Sequence, residues 1–218
     1  MNVQGYLLDK SKSWEMFDNQ VAKHYDVLSD VISLGMYPSW RRALTRELPE
    51  GENLRILDLA TGTGAIPFSM MKECGDRIEK ILGVDLSADM LSVFGSRLEG
   101  HPFAEKVSFK QGDATATKLR KEQFDVVTMA CGIRNVADHN KGAKEIFRVL
   151  KPGGRVIFLE PSLPTNPVVK QAYLGYFRYL VPAVASVISD YDAYRYFCES
   201  VAEFIHGEHV QAKRDSTD

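Results

Sequence analysis

Cysteine is scarce in this sequence of 218 residues, which contains only Cys74, Cys131 and Cys198. The number is odd and the positions lie far apart, so they offer neither a disulfide framework nor the close spacing of metal ligands. Such cysteine usage is typical of a protein from a reducing compartment. The sequence therefore predicts no bound metal.

Long charged runs and long apolar runs are also lacking. The formal net charge is −2, and no basic run is long enough to indicate nucleic-acid binding. The most apolar window, residues 179–188, is about half the length of a membrane-spanning helix and contains Pro182. Residues 1–17 lack the apolar core of a signal peptide. These absences favour a cytoplasmic protein and leave room for peripheral contact with a membrane surface.

A strand, a glycine turn and a helix are predicted around residues 54–64, which read LRILDLATGTG, and the amphipathic segment 66–72 that follows. This arrangement brings main-chain N–H groups close to a bound nucleotide or nucleoside. Gly62 and Gly64 leave space there because they carry no side chain. A single glycine turn is more often structural than functional, so its meaning depends on the strands that follow.

Short apolar strands alternate with helices of about ten residues through residues 51–162. Beyond the first strand, the predicted strands are residues 80–84, 107–110, 124–130 and 155–159. This alternation predicts an α/β fold with a doubly wound, mostly parallel sheet of the Rossmann-like kind, in which ligands bind beyond the carboxyl ends of the strands. An N-terminal helical cap is predicted at residues 1–50, with helices at 11–34 and 38–48. A helical, substrate-side region and a polar tail are predicted at 163–218, all three parts forming one compact unit.

Three acidic residues fall at the ends of three predicted strands, namely Asp58, Asp85 and Asp113. Asp85 follows Gly64 by about 20 residues, the distance at which a carboxylate is placed to bind both ribose hydroxyls. Any one of them alone would be read as a helix cap or turn residue. Together they indicate a nucleotide-like ligand, and the absence of G-x-G-x-x-G favours a nucleoside without a pyrophosphate.

A family resemblance rests on motifs in a fixed order: DLATGTG, GVD, QGDA, FDVV and LKPGG. These resemble the motifs of class I S-adenosylmethionine-dependent methyltransferases. Residues 148–162 (RVLKPGGRVIFLEPS) and 131–136 (CGIRNV) further resemble the ubiquinone/menaquinone biosynthesis C-methyltransferase family. The resemblance runs from about residue 20 to residue 204. It implies S-adenosylmethionine as cofactor, S-adenosylhomocysteine as product, and a quinol as the small-molecule substrate. Methylation of another small aromatic substrate, or a non-catalytic cofactor-binding role, stays open.

The resemblance also implies functional residues. The implied cofactor-binding residues are Asp58, Ala60, Thr61, Gly62, Gly64, Asp85, Leu86, Met90, Asp113, Ala114 and Cys131. The implied catalytic residues are Arg134 and Asn135, and we consider Tyr25, His24 and His139 as candidates for moving the proton. Arg134 is expected to stabilise a developing phenolate, because a guanidinium remains protonated at any working pH. Ala60 stands where many members have glycine, and we expect a negative φ there.

The aromatic segment after residue 164 has two interpretations. One is a channel for a polyprenyl tail beside a membrane, and the other is a core and dimer face. Residues 194–204 resemble a family segment that favours a lid over the site, which Arg195 would reach. The usual antiparallel strand pair at the end of the fold is not recognisable in this sequence. We therefore expect that pair to be missing, and a homodimer partner to cover the exposed sheet edge.

Overall fold

The computed structural model describes residue 5 and residues 9–161, 166–181, 183–184 and 190–206; at residues 11 and 202–206 it describes the backbone alone. A parallel sheet lies at the centre, with strand order β3–β2–β1–β4–β5. Its strands are Leu54–Leu59 (β1), Ile78–Asp85 (β2), Val107–Gln111 (β3), Phe124–Ala130 (β4) and Leu150–Leu159 (β5). The order reverses between β1 and β4. The predicted doubly wound parallel sheet is confirmed.

Helices flank this sheet and form a further layer beside it. The α-helices of the described residues are Asn19–Ile32 (α1), Tyr37–Arg46 (α2), Ala65–Cys74 (α3), Ala88–Leu98 (α4), His139–Val149 (α5), Pro167–Gly175 (α6) and Tyr191–His206 (α7). Two 3₁₀ helices, Lys10–Met16 and Ile133–Asn135, and a π-helical segment, Tyr176–Leu180, complete the helical elements that are described. Among the described helices, none combines the length and the apolar character that crossing a membrane requires.

The central strands β1 and β4 are buried on both faces, as their nearly continuous apolar sequences predict. Ile56 packs on one face in a cluster with Met70 of α3 and Phe94 of α4. Leu57, its neighbour on β1, packs on the opposite face in a cluster with Ile146 of α5. Successive side chains of one strand thus serve two separate cores, and these hold the strand ends in place for the site.

A third cluster joins the two ends of the chain. Leu28 of α1, Phe177 of the π-helical segment and Tyr196 of α7 are buried together in it. The core interpretation of the C-terminal aromatic segment therefore holds for these residues. A different set from the same segment is exposed: Val168, Val169, Tyr179 and Leu180.

Two local predictions differ from the structure. The predicted helix 11–34 is interrupted, because Asp18 accepts hydrogen bonds from the N–H groups of Gln20 and Val21 and so begins a new helix, α1. Apolar periodicity continues across this break and concealed it. The predicted turn at residues 151–154 lies inside β5, where the pairing register with β4 shifts.

One of the two edges of the sheet lies at β5, and the other lies at β3. Within the described residues β5 pairs with β4 alone, and no antiparallel strand pair follows it. Phe158 on this strand is 47% exposed. The tail at residues 207–218 lies outside the described residues, so the homodimer that would cover this edge stays a prediction.

Candidate active site

A cleft of about 260 Å³ opens where the strand order reverses. Loops after β1, β2, β3 and β4 form its walls together with the N-terminal 3₁₀ helix and α1. Ten of the predicted site residues line it: Tyr25, Ala60, Gly62, Asp85, Leu86, Met90, Asp113, Ala114, Cys131 and Asn135. Residues predicted from separate strand ends therefore meet around one cavity, as expected at the topological switch point of such a sheet.

Asp85 joins the glycine turn to the end of β2. Its Oδ2 accepts a hydrogen bond from the Gly62 N–H at 2.8 Å, and its Oδ1 accepts one from the Ser87 N–H at 2.9 Å. Burial raises the pKa of this carboxyl, although the N–H groups of Ser87 and Gly62 oppose the rise. Each carboxylate oxygen has a second lone pair, so Asp85 can also accept hydrogen bonds from a hydroxyl pair in the cleft.

Gly64 is required by the packing beneath the turn. Its φ is +81°, and a Cβ at this position would lie 2.4 Å from the ring of Phe94. The residue ends the turn and caps the N-terminus of α3. It does not itself line the cleft in the part of the chain that is described.

Ala60 departs from the expected backbone conformation. Its φ is +51° rather than negative, which costs a residue with a Cβ about 1–2 kcal/mol. Cys131, at the end of the neighbouring strand, also has a positive φ, +55°. A Cβ at Gly132 would lie 2.5 Å from that of Ala60, so glycine at 132 makes room for alanine at 60. The strained pair borders the cleft, where such conformations concentrate.

Asp58 lies beneath the cleft rather than in it. Its side chain accepts hydrogen bonds from the hydroxyls of Thr61 and Thr128, both at 2.6 Å, and is almost fully buried. Burial raises the pKa of Asp58 to about 7. Neither Asp58 nor Thr61 is among the described residues that line the cleft. Both support the glycine turn from below.

Arg134 is a buried member of a hydrogen-bonded network. The side chain is 1% exposed, and its guanidinium pairs with Glu160 at 3.1 Å. The same group donates to the carbonyl of Cys131 and, through Nε, to Ser200 Oγ at 3.2 Å. It also lies 4.7 Å above the ring centre of Phe197. In the described part of the chain, Arg134 is not one of the residues that line the cleft.

Glu160 is a residue that sequence reasoning did not single out. Besides pairing with Arg134, its carboxylate accepts the N–H of Ile133 at 2.9 Å, so it fixes the start of the second 3₁₀ helix. Glu160 lies near the end of residues 148–162, the segment that resembles the C-methyltransferase family. That segment was the available signal.

Asn135 ends the second 3₁₀ helix and lines the cleft. Its backbone N–H donates to the carbonyl of Gly132 at 3.0 Å, and its side-chain Oδ1 accepts a hydrogen bond from Tyr196 Oη at 2.9 Å. This side chain therefore connects α7 to the cleft. Arg195, on the same helix, pairs with Glu199 one turn away.

The candidates for moving a proton lie in different surroundings. Tyr25 lines the cleft, and burial raises its pKa well above the usual value, so its phenol stays protonated. The His24 ring bonds the carbonyl of Gln20, and the His139 ring bonds that of Ile133. Neither histidine is among the described residues that line the cleft.

A second, smaller cavity of about 30 Å³ adjoins the cleft. Tyr25 and Cys131 belong to the walls of both cavities. Burial raises the pKa of the Cys131 thiol to about 11, so it stays protonated at neutral pH. The remaining lining is largely aromatic and includes Tyr37, Trp40, Tyr173, Phe177 and Phe197. The pair Tyr25 and Cys131 thus separates an acid-lined cleft from an aromatic one.

The N-terminal helix α1 is attached to the glycine turn by an ionic cluster. Asp26 accepts hydrogen bonds from Arg97 and, at 2.8 Å, from Thr63 Oγ1. Arg97 also donates to the Thr63 carbonyl at 3.0 Å. These contacts hold Tyr25, the neighbour of Asp26, against the cleft. The role of Asp26 could not be predicted from sequence, because its partners Thr63 and Arg97 lie 37 and 71 residues away along the chain.

The model of the ubiE/COQ5 methyltransferase family matches residues 7–213. The chain belongs to the ubiE/COQ5 methyltransferase family. It is 37% identical over 193 residues to a ubiquinone/menaquinone biosynthesis C-methyltransferase of Geotalea daltonii, covering 88% of this chain and 81% of that one. It is 36% identical over 187 residues to a demethylmenaquinone methyltransferase of Lactobacillus johnsonii, covering 85% and 76%. The chain is therefore a methyltransferase.

Solved structures share the fold of this family member. A methyltransferase-like protein of Methanococcus maripaludis superposes with a TM-score of 0.60 at 17% identity, covering 86% of this chain and 84% of that one. The [4+2]-cyclase SpnF superposes with a TM-score of 0.65 at 14% identity, covering 90% and 91%. Identities this low show the fold alone. One fold thus carries two reactions, and the chemistry has to be derived from the site.

The side chains of the cleft fit S-adenosylmethionine. Asp85 and Asp113 provide two carboxylates at neighbouring strand ends, suited to the hydroxyls of a ribose and the amino group of an adenine. Leu86 and Met90 add apolar surface for a base. Gly62 leaves the turn open, because the nearest atom to a Cβ there would be Met90 Cε at 3.9 Å. S-adenosylmethionine is the methyl donor that this family member uses.

Proposed function

We propose that this chain methylates a ring carbon of a quinol precursor of ubiquinone or menaquinone and releases S-adenosylhomocysteine. The observation that carries the proposal is the junction of the acid-lined cleft with the aromatic cavity at Tyr25 and Cys131. The names of the Geotalea and Lactobacillus relatives support the quinol as substrate class. At about 30 Å³ the second cavity is smaller than an aromatic ring, so the ring would lie at the junction itself, against Tyr25 and Cys131, rather than inside that cavity.

The residues that hold the cofactor are proposed to be those of the cleft. Asp85 binds the ribose hydroxyls, Asp113 and Ala114 bind the adenine side, and Ala60, Gly62 and the end of β4 enclose the methionine side. When bound, S-adenosylmethionine supplies a methyl group on a positively charged sulfur, which an electron-rich ring carbon can take while the carbon–sulfur electron pair stays with sulfur. The task left to the protein is to align the ring and to increase its electron density.

The catalytic roles follow from what reaches the cleft. Asn135 is proposed to donate a hydrogen bond to the substrate hydroxyl as it ionises, which increases the electron density of the ring. Tyr25 stays protonated and acts as a second donor or as a wall that orients the ring. Arg134 contributes positive charge from behind the second 3₁₀ helix without contacting the substrate, and Glu160 partly neutralises that charge. After the new carbon–carbon bond forms, the ring hydrogen leaves as a proton and restores aromaticity.

The cellular setting is also proposed. The exposed apolar residues Val168, Val169, Tyr179 and Leu180 support peripheral contact of a cytoplasmic protein with the membrane that holds a prenylated substrate. The edge of β5, with the exposed Phe158, supports a homodimer. The division into residues 1–50, 51–162 and 163–218 stays a proposal, since clusters of buried residues join the first and last parts.

The decisive experiment incubates the protein with methyl-labelled S-adenosylmethionine and a reduced, short-tailed demethylmenaquinol or methoxy-benzoquinol. We expect the label on a ring carbon of the quinol, detected by mass spectrometry after fragmentation. A simple phenol without a second hydroxyl serves as the control acceptor. Cofactor binding without any label on either quinol would contradict the proposed function and favour another aromatic substrate or a purely binding role.

A further inference from the structure

We infer that Tyr196 is a positioning residue, which turns the side-chain amide of Asn135 so that its N–H groups face the substrate. The inference rests on the proposed function for the identity of the substrate. Tyr196 lies on α7, is 0% exposed, and donates its hydroxyl proton to Asn135 Oδ1 at 2.9 Å. A carboxamide has one accepting end and one donating end, so occupation of Oδ1 from the α7 side directs Nδ2 the other way.

The backbone of Asn135 is already fixed without Tyr196. Its N–H donates to the Gly132 carbonyl at 3.0 Å, and Glu160 holds the preceding turn through the Ile133 N–H at 2.9 Å. What these contacts leave undetermined is the rotation of the side chain. A hydrogen bond from a rigid, buried phenol supplies that constraint.

One face of α7 contacts two of the predicted catalytic residues, Arg134 and Asn135. Tyr196 and Ser200 are four residues apart and so lie on the same side of the helix. Ser200 Oγ accepts from Arg134 Nε at 3.2 Å and donates to the Phe197 carbonyl at 2.8 Å, which fixes the direction of that hydroxyl. The ring of Phe197 lies beneath the guanidinium. Helix α7 therefore holds Arg134 in the protein interior and turns Asn135 toward the cleft.

The chemical consequence concerns the ionisation of the substrate. A donor aimed at the substrate oxygen favours its anionic form, and so lowers the pKa of the bound hydroxyl. When that donor rotates freely, the bound hydroxyl ionises at higher pH and the ring is less electron-rich at neutral pH. Methyl transfer should then slow while the cofactor binds as before.

The first test is Tyr196→Phe, with Tyr194→Phe as the matched control. Tyr194 lies on the same helix and is 3% exposed, and its buried hydroxyl has no hydrogen-bond partner among the described residues. With a quinol as substrate, we expect Tyr196→Phe to lower kcat roughly ten- to a hundredfold at pH 7. The rising limb of its pH–rate profile should move to higher pH, and KM for S-adenosylmethionine should stay within about twofold. Tyr194→Phe should match wild type in all three.

A double variant tests whether Tyr196 acts through Asn135. Adding Tyr196→Phe to Asn135→Ala should lower kcat little further, since the group that Tyr196 orients has gone. An equal loss in both backgrounds, or a wild-type kcat and pH profile for Tyr196→Phe, would overturn the inference. Wild-type protein that methylates no quinol would contradict the proposed function instead.

A measurement without turnover keeps the inference testable in that case. The side-chain ¹H–¹⁵N amide signals of Asn135 can be assigned by their loss in Asn135→Ala. We expect them to shift or broaden in Tyr196→Phe and to remain in place in Tyr194→Phe. Unmoved signals in Tyr196→Phe would show that another contact sets the amide.

Discussion

Replacement of Asp85 by alanine, compared with replacement of Asp125, should distinguish a loss of cofactor binding from a loss of stability. The Asp85 carboxylate accepts the N–H groups of Gly62 and Ser87 at 2.8 and 2.9 Å, and it lines the cleft. Hydrogen bonds to a charged group contribute about 1.5–3 kcal/mol each. Two such bonds to ribose hydroxyls, at the lower figure, correspond to about 3 kcal/mol, or roughly a hundredfold in Kd.

The assay is calorimetric titration with S-adenosylhomocysteine, which needs no methyl acceptor. We expect the Kd of Asp85→Ala to rise by about two orders of magnitude. The free energy of unfolding should also fall by about 2–4 kcal/mol, because two N–H groups lose their acceptor. Asp85→Asn should have an intermediate affinity, since the amide keeps one acceptor oxygen. Its NH₂ group would point at one of the two backbone N–H groups and could not accept a hydrogen bond from it.

The matched control is Asp125→Ala, at the opposite end of the sheet. The Asp125 carboxylate accepts hydrogen bonds from the Arg55 N–H at 2.9 Å and from the Lys151 ammonium at 2.8 Å. Like Asp85, it therefore stabilises the fold through hydrogen bonds to a charged carboxylate, one of them from the backbone. Its loss should reduce stability and leave the Kd unchanged. A folded Asp85→Ala protein that binds within threefold of wild type would refute the ribose role of Asp85 and the orientation of the cofactor that depends on it.

Three other substitutions test the surroundings of the cleft. Arg134→Ala removes the charged partner of Glu160, whose side chain is only 12% exposed, so urea unfolding should show a loss of about 3–5 kcal/mol in the free energy of unfolding. The double variant Arg134→Met with Glu160→Gln should largely restore that stability, and turnover should fall in both variants. An unfolding midpoint of Arg134→Ala equal to that of wild type would disprove the structural role of the pair. Burial raises the pKa of Asp58 from 3.8 to about 7 in the folded protein, so wild type should lose stability relative to Asp58→Asn as pH rises from about 4 to 7. A stability difference between the two proteins that stays constant over this pH range would show that Asp58 does not keep its proton on folding. Ala60→Gly relieves a positive φ but adds freedom to the unfolded chain, so thermal unfolding should show a net gain of about 0.5–1 kcal/mol, and a loss would mean that the methyl group packs favourably.

The strand ends could be predicted from sequence because parallel strands carry their functional residues at one edge. Residues 124–130 were predicted as the strand that the structure shows, and Asp85, the last residue of β2, lines the cleft as the spacing from Gly64 indicated. Asp58 shows the limit of this reasoning. Asp58 lies one residue before the end of β1 and pairs in register with Thr128 of β4. Its side chain accepts a hydrogen bond from Thr128, beside it on the same face of the sheet, instead of reaching the cleft. A shift of one residue reverses the direction of a strand side chain, and sequence does not fix strand ends to one residue.

Partners that are distant in the chain could not be predicted. Arg134 and Glu160 are 26 residues apart, Asn135 and Tyr196 are 61 apart, and Arg97 reaches Asp26 across 71. No local periodicity relates these positions, because each pair is set by how helices pack on the sheet. The backbone conformation of Ala60 was missed for a similar reason: room for its methyl group depends on Gly132, which follows the neighbouring strand β4 and is 72 residues away.

The residues that we propose to act on the substrate are held by helices rather than by the sheet. The similarity to a [4+2]-cyclase shows that this fold is compatible with chemistry other than methyl transfer. In this chain, α1 contributes Tyr25 to the cleft and is fixed to the glycine turn through Asp26, while α7 reaches Asn135 through Tyr196. Because α1 and α7 share one buried cluster, we expect a displacement of either helix to disturb both the proposed cofactor site and the proposed donor, Asn135. The two requirements of methyl transfer to carbon, an aligned methyl group and an ionised ring, are therefore met or lost together.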